Sequence, residues 1–479
     1  MRNKTLYIIL NGISFDRPGD WKFLSDKKQK RFVKCRNPRP YQECDDKLMS
    51  STSNSKSPSF QVRYQITCPH CWTVFPLENI LWIAEAPGLV GDSRLGDSQQ
   101  ERFLPINFDL AGNAVDRLGF SCKKLACPYC HLQIPRPFIE MQSFFISIAG
   151  APASGKSYFL TAMTWNLRRM LPDEFHYVFT DADPELNMRL LTYESYQFMN
   201  DDENATVKIE KTEEQGDSYN SVLINNQNIT YLQPFLFGLF PTSEHPDFPK
   251  NLKNSLAISL YDNAGESYLP IHGGDSASLP VTRHLGKSHC IFFIFDPTQD
   301  NRFRAVCSNP NNDPQLNKET EGNFRKTNIR QEMVLAEVIK RTRHYMGMHI
   351  QEKYPHPLIV VVSKLDAWKD LLPDIYFRNP WAKRINTGKT VFLVDRVRDV
   401  SDRVRSLLKK HLPDMVSMVE NFASNVIYIP ISATGCPPTR DPETGEWGFQ
   451  MKNLKPIWIE VPFLYALSQT SQDIIPCVF

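Results

Sequence analysis

The 479-residue chain has no apolar run of membrane length. Its opening, MRNKTLYIILNG, is too short for a span and lacks the small-residue cleavage site of a secretion signal. The expectation is a cytoplasmic protein with no membrane partner. An excess of either charge is lacking as well: 55 Lys and Arg stand against 53 Asp and Glu. That balance argues against a protein whose main task is to coat nucleic acid or an anionic bilayer, while leaving room for a local basic patch. No internal repeat of solenoid length occurs. A disulfide framework is not expected either, because eleven cysteines in so long a chain, without a secretion signal, belong where thiols stay reduced.

The length exceeds what a single core usually supports, so one large domain with small attachments is expected. Residues 1–59 combine a strand-like start, a basic run (DKKQKRFVKCR) and a linker-like stretch rich in Ser and Lys. Residues 60–140 are bounded by two cysteine pairs, CPHC (Cys68, Cys71) and CPYC (Cys127, Cys130), around a middle rich in Pro and Gly that buries little core by itself. From 141 to 479, short apolar runs alternate with amphipathic segments: FFISIAG, HYVFTD, LAISLYD, CIFFIFD, LIVVVS and VIYIPIS. That alternation predicts an α/β fold with a doubly wound, mostly parallel sheet covered on both faces. The helical spacing over 334–346 turns Val334, Leu335, Val338, Ile339 and Thr342 inward and predicts Glu337, Lys340 and His344 on the outer side. A second helix repeats the pattern with Val397, Val400, Val404, Leu407 and Leu408.

The stretch GAPASGKS matches G-x-x-x-x-G-K-[ST], follows an apolar run and opens a helical pattern. In that setting the backbone amides from Gly150 through Ala153, Ser154 and Gly155 converge on phosphate at a helix N-terminus. Lys156 then faces the outer phosphates and the Ser157 hydroxyl faces a magnesium ion. Downstream, LAISLYDNAGES ends a strand in Asp262, suited to the magnesium shell, with Gly265 three residues on, where a backbone amide can approach the terminal phosphate. LIVVVSKLD delivers Ser363, Lys364 and Asp366. A carboxylate such as Asp366 accepts from the ring N–H and the exocyclic amine of guanine, a donor pair adenine does not present. Last, VIYIPISATG places Ser432, Ala433 and Thr434 where a backbone amide can meet the guanine oxygen. Each group sits at the carboxyl end of a predicted strand, where open α/β sheets take ligands.

With these motifs (GAPASGKS, DNAGE, SKLD, SAT) the stretch from about 143 to 469 resembles the translation-factor-related class of P-loop GTPases, which includes the small signalling GTPases. The resemblance implies a switch that binds and hydrolyses GTP with magnesium. Two positions depart from the pattern: Ser363 stands where Asn or Thr is usual, and Glu266 where many relatives carry the glutamine that positions the attacking water. The stretch between the phosphate loop and DNAGE is long enough to hold an inserted strand–helix unit, and Thr212 is the candidate switch threonine. Lys156, Glu266 and Thr212 are thus the expected catalytic set.

The cysteine pairs suit a zinc-ribbon-like module in which two tight turns complete one tetrahedral site, with His70, His131 and Cys122 as alternative ligands. A redox reading needs the first cysteine at a helix start, which Pro135 and Pro137 oppose after CPYC. The order of module and GTPase resembles the bacterial double-GTPase families of conflict systems, on the strength of RFLPINF, LACPYCHLQIP and GAPASGKSYFLTAMTW. That resemblance implies a second GTPase or an effector as partner and a defence role. Two other classes stay open at this point: a P-loop ATPase, and a non-catalytic adaptor in which nucleotide only stiffens the fold.

Overall fold

The computed structural model describes residues 14–15, 21–22, 64–209, 218–268, 280–308, 313, 314, 316, 330–441, 444–471 and 473–478. Two hairpins frame the cysteine-rich part. Strands β1 (Gln65–Thr67) and β2 (Val74–Pro76) flank CPHC, while β3 (Leu125–Ala126) and β4 (Gln133–Ile134) flank CPYC. The residues between leave and return through short antiparallel strands, one of which, Leu81–Ile83, lies between β3 and Arg102–Phe103.

After residue 141 the apolar runs become strands β5 (Gln142–Gly150), β6 (Tyr177–Asp181), β7 (Phe235–Pro241), β8 (Leu256–Asp262), β9 (Cys290–Phe295), β10 (Leu358–Val362) and β11 (Val426–Pro430). They form one seven-stranded sheet in the order β6-β7-β8-β5-β9-β10-β11. Every residue of β8, β9 and β10 is buried, as continuous apolar runs in a two-faced sheet demand. Pairing is parallel from β8 across to β11, whereas β7 runs antiparallel to both β6 and β8. The antiparallel β7 is absent from the expected strands. Its run, FLFGLFP, is buried like the others, so nothing in its composition marks its direction. The chain enters at the centre on β5, goes to one edge at β6 and returns inward through β7 and β8, then crosses to β9 and builds outward through β10 and β11. The order therefore reverses at the end of β5.

Helices α1 (Lys156–Met170), α2 (Met188–Phe198), α3 (Gln331–Met346), α4 (Val394–His411), α5 (Pro413–Phe422) and α6 (Val461–Thr470) complete the framework. Helix α3 stops at Gly347, whose φ of 64° is the left-handed turn that glycine adopts without strain. On α4, Val397, Val400, Val404 and Leu408 are buried as the spacing predicts, while Leu407 is half-buried against the same core. Glu337 on α3 departs from expectation: it is buried, because the fully buried Arg341 one turn on donates to it at 2.7 Å.

The two faces of the sheet carry different cores. Phe144, Ile146 and Ile148 of β5 and Ile258 and Leu260 of β8 join the large core with the helices. Phe145, Ala257 and Tyr261, one residue out of step, pack with Leu236 against Trp72, Phe75, Trp82 and Ile134 of the cysteine-rich part. That part supplies the layer over this end of the sheet. Each large apolar side chain so buried contributes about 1.5–3 kcal/mol.

Candidate functional site

The four cysteines of CPHC and CPYC come together. Their sulfurs lie within 4.8 Å of one another, with Cys68 to Cys130 and Cys71 to Cys127 both at 3.7 Å. A disulfide needs sulfurs about 2.05 Å apart. A tetrahedral zinc site with Zn–S bonds of about 2.3 Å spaces its sulfurs by about 3.8 Å. The two turns are built alike. The His70 amide donates to Cys68 Sγ and the Tyr129 amide to Cys127 Sγ, each at 3.4 Å. The residue after each second cysteine, Trp72 (φ 58°) or His131 (φ 61°), is left-handed and donates its amide back to the first cysteine's carbonyl. Burial pushes the Cys68 and Cys130 thiols well above their ordinary value, so thiolates gather here only with a cation to compensate them. The cluster therefore fits a divalent metal such as zinc. The alternative ligands face elsewhere: His70 Nε2 bonds Gln133 O at 2.9 Å, His131 Nδ1 bonds Asp92 at 2.8 Å, and Cys122 lies against Asp116 at 3.8 Å. Each first cysteine sits in a hairpin turn rather than at a helix start, which disfavours the redox reading.

At the carboxyl end of the sheet's central strand, residues 151–155 turn from β5 into α1. Gly155 caps the helix at φ 93°, a conformation that glycine takes freely. A Cβ on Gly150 would sit 2.6 Å from the Ile294 carbonyl, so close packing of the loop on β9 demands glycine there. Ala153 is exposed at the tip, and Ser154 is buried with its hydroxyl unpaired among the described residues. Lys156 is buried and donates Nζ–H to the Gly150 and Ala151 carbonyls, both at 3.0 Å, while Ser157 opens the helix beside it.

Asp262 ends β8, the parallel neighbour of β5. It is buried, its Oδ1 has no hydrogen-bond partner among the described residues, and burial holds its pKa above the usual carboxylate value against the pull of Lys156 and Arg189. An orphaned carboxylate oxygen beside a lysine is the arrangement a hard cation with oxygen ligands satisfies. Gly265 starts a short 3-10 turn (Gly265–Tyr268) and backs onto the 151–155 turn so closely that a Cβ would lie 2.4 Å from Pro152 N. Glu266 follows it, half-buried. Arg341 of α3 donates to Ser267 O at 2.6 Å and to Thr282 Oγ1 at 3.4 Å, gripping both ends of the segment after Glu266. Thr212 lies outside the described residues. Ile209, three positions before it, donates its amide to the Tyr158 hydroxyl beside Ser157.

The third group sits at the ends of β10 and β11. Ser363 Oγ donates to Ser154 O at 2.9 Å, tying the end of β10 to the 151–155 turn. Lys364 is left-handed (φ 56°) and pairs with the buried Asp296, just past β9, at 2.5 Å. Ser432 donates its hydroxyl to Asp366 and accepts from the Gly435 amide at 2.7 Å. Ala433 follows half-buried, and Thr434 Oγ1 donates to Cys436 O at 3.0 Å. Burial is the main cause that pushes Asp366 up to about 6, with the Ser432 bond opposing it. Asp366 can therefore accept a pair of N–H donors once ionised.

The structure thus brings together Gly150 to Ser157, Asp262 to Glu266, Ser363 to Asp366 and Ser432 to Thr434 along the carboxyl ends of neighbouring parallel strands. Asp296, Gln299 (donating to Pro152 O at 3.3 Å) and Arg341 were not among the residues expected from sequence. Asp296 was open to the same argument as Asp262, an acid closing an apolar run; the other two act through folding alone. Among the described residues no helix is long and apolar enough to cross a membrane. No protein-family model matches this chain, and no curated protein matches it.

Proposed function

We propose that the chain binds and hydrolyses GTP with magnesium as a conformational switch, and that its four cysteines hold zinc as a structural centre. The observation that carries the reading is the convergence of a phosphate-loop motif, an orphaned buried carboxylate and a carboxylate suited to guanine on adjacent strand ends of one sheet, cross-linked by Ser363 to Ser154 and Ser432 to Asp366. In this reading Lys156 turns from its own loop carbonyls to the outer phosphates, and Ser157 and Asp262 face the cation, which screens the phosphate charge when bound. Asp366 selects the base. A carboxylate at Glu266 accepts from water but does not donate as a glutamine does, so the isolated chain hydrolyses slowly. A partner GTPase that supplies an arginine raises the rate, by about 10³–10⁵ where such fingers act. The resemblance to double-GTPase conflict systems supports reading that pairing as part of a bacterial defence system. Measuring GTP and ATP affinity side by side with magnesium tests the reading: tighter ATP binding, or none of either, rejects it.

A further inference from the structure

The cysteine cluster and Asp262 are joined by one buried aromatic contact. Trp72, directly after Cys71, donates its indole N–H to the Tyr261 hydroxyl at 3.0 Å, and that hydroxyl donates to Pro69 O inside CPHC at 2.6 Å. Both bonds of the Tyr261 hydroxyl are thus spent on the cysteine turn. Its ring lies flat on His284, centroids 4.9 Å apart and 8° from parallel, with Trp72 leaning on the same imidazole at 6.2 Å. Tyr261 is the residue before Asp262 on β8, so the two side chains leave opposite faces of the strand, one toward the cysteine turn and the other away from it.

His284 carries the contact onward. Ser288 Oγ donates to His284 O at 2.9 Å, Ser147 Oγ to Ser288 Oγ at 2.5 Å, and His284 Nδ1–H closes the ring onto Ser147 Oγ at 2.5 Å. Ser147 belongs to β5, three residues before Gly150, and His284 to the turn Pro280–Gly286 that follows the Glu266 segment. Trp72, Tyr261, His284, Ser147 and Ser288 are all buried.

We infer that the metal-loaded cysteine turn positions Asp262 through Trp72 and Tyr261, so that occupancy of the cysteine site sets how tightly the nucleotide site holds its divalent cation. The inference rests on the reading of Asp262 as the cation-facing carboxylate of a nucleotide site. Strands β1 and β2 have three residues each, too few to hold a hairpin alone, and the cation is the cross-link between the two turns. Without it Trp72 leaves its left-handed pose, and the buried Tyr261 hydroxyl loses its partners.

The test uses the full chain and a fluorescent GDP analogue titrated with magnesium. Trp72→Ala, with zinc content unchanged, raises the magnesium concentration for half-maximal nucleotide retention by about tenfold and leaves affinity in EDTA unaltered. Trp72→Phe, which keeps a ring and loses the N–H, gives a smaller rise, and Trp82→Phe, whose ring packs on Phe108, gives none. By reciprocity, saturating magnesium–GDP tightens zinc binding by the wild-type protein, read as a shift in the equilibrium competition with a chromogenic chelator, a measurement that stands even where Trp72→Ala fails to fold. Normal nucleotide binding with zinc affinity indifferent to magnesium–GDP, or an unmoved magnesium midpoint in zinc-loaded Trp72→Ala, overturns the inference alone. A wild-type chain that binds no nucleotide overturns it together with the nucleotide reading.

Discussion

On the proposed reading, Asp366 makes guanine recognition a pH-dependent property. The carboxyl is pushed up to about 6 from 3.8, chiefly by burial, with Asp313 raising it further and Lys364 and the Ser432 bond opposing. About two units correspond to about 3 kcal/mol in a dry site; the side chain is only half-buried, so solvent screening brings this to about 1–2 kcal/mol. The direction is that of an acid whose folded value is raised. Its contribution to stability is complete below about 4, where the carboxyl is protonated in both states, and is lost as pH rises through about 6. The nucleotide-free protein therefore gives up about 1–2 kcal/mol at neutral pH to keep an ionised acceptor ready for two donors. Guanine binding needs that ionised form, so GDP affinity falls about tenfold per pH unit below 6 and is flat above 7. Cys436, which also senses Asp366, is pushed up to about 11 and stays neutral across this window. Asp366→Asn removes the titration: the apo-protein melts higher at pH 7.5, the GDP curve between pH 5 and 8 flattens, and preference moves toward xanthine nucleotides, whose carbonyl meets the new amide donor. Fluorescent-GDP titrations at half-unit steps, with thermal melts in the same buffers, decide it. A wild-type affinity that does not change between pH 5 and 7.5, or an equal slope in the Asn variant, refutes the argument.

Lys156→Ala weakens magnesium–GTP binding by at least tenfold in calorimetric titration, since the mobile charge facing the outer phosphates is gone; unchanged affinity rejects the phosphate assignment. Purified protein carries one zinc per chain by elemental analysis, and Cys68→Ser with Cys127→Ser loses it and lowers the melting temperature; carefully prepared protein without zinc rejects the metal assignment. Gly265→Ala forces a methyl against Pro152 N and Ala151 C and is expected to cost about 1–3 kcal/mol in stability along with nucleotide affinity, both read from melts with and without GDP. Glu337→Leu strands the buried Arg341 guanidinium and destabilises by about 3–5 kcal/mol, read as a fall in melting temperature.

The central strands were legible because a two-faced sheet leaves them no choice but continuous apolar side chains. LAISLYD coincides with β8 from Leu256 to Asp262, and the spacing within CPHC and CPYC already spoke of one four-cysteine site. What stayed hidden depends on distance along the chain. Trp72 meets Tyr261 across 189 positions, and Ser363 meets Ser154 across 209; no local pattern encodes either bond. Glu337 reads as an outer charge because its partner Arg341 is itself a residue expected in water. Only the fold shows that the two bury each other beneath the segment after Glu266.

These distant ties also bear on how the site is held. The phosphate loop touches three neighbours at backbone level: Gly265 against Pro152 N, Gln299 on Pro152 O and Ser363 on Ser154 O. Gly265 leads into the Glu266 segment, Gln299 follows Asp296, and Ser363 precedes Asp366. In the proposed reading, a backbone fixed from three sides is pre-organised for its ligand, so little ordering remains when phosphate binds. Gly265 lies so close to the loop that not even a methyl group fits between it and Pro152, so any displacement of the loop is passed to Gly265 and to Glu266 beside it. The cysteine layer, resting on Tyr261 on the opposite face of β8, sets the position from which that movement starts.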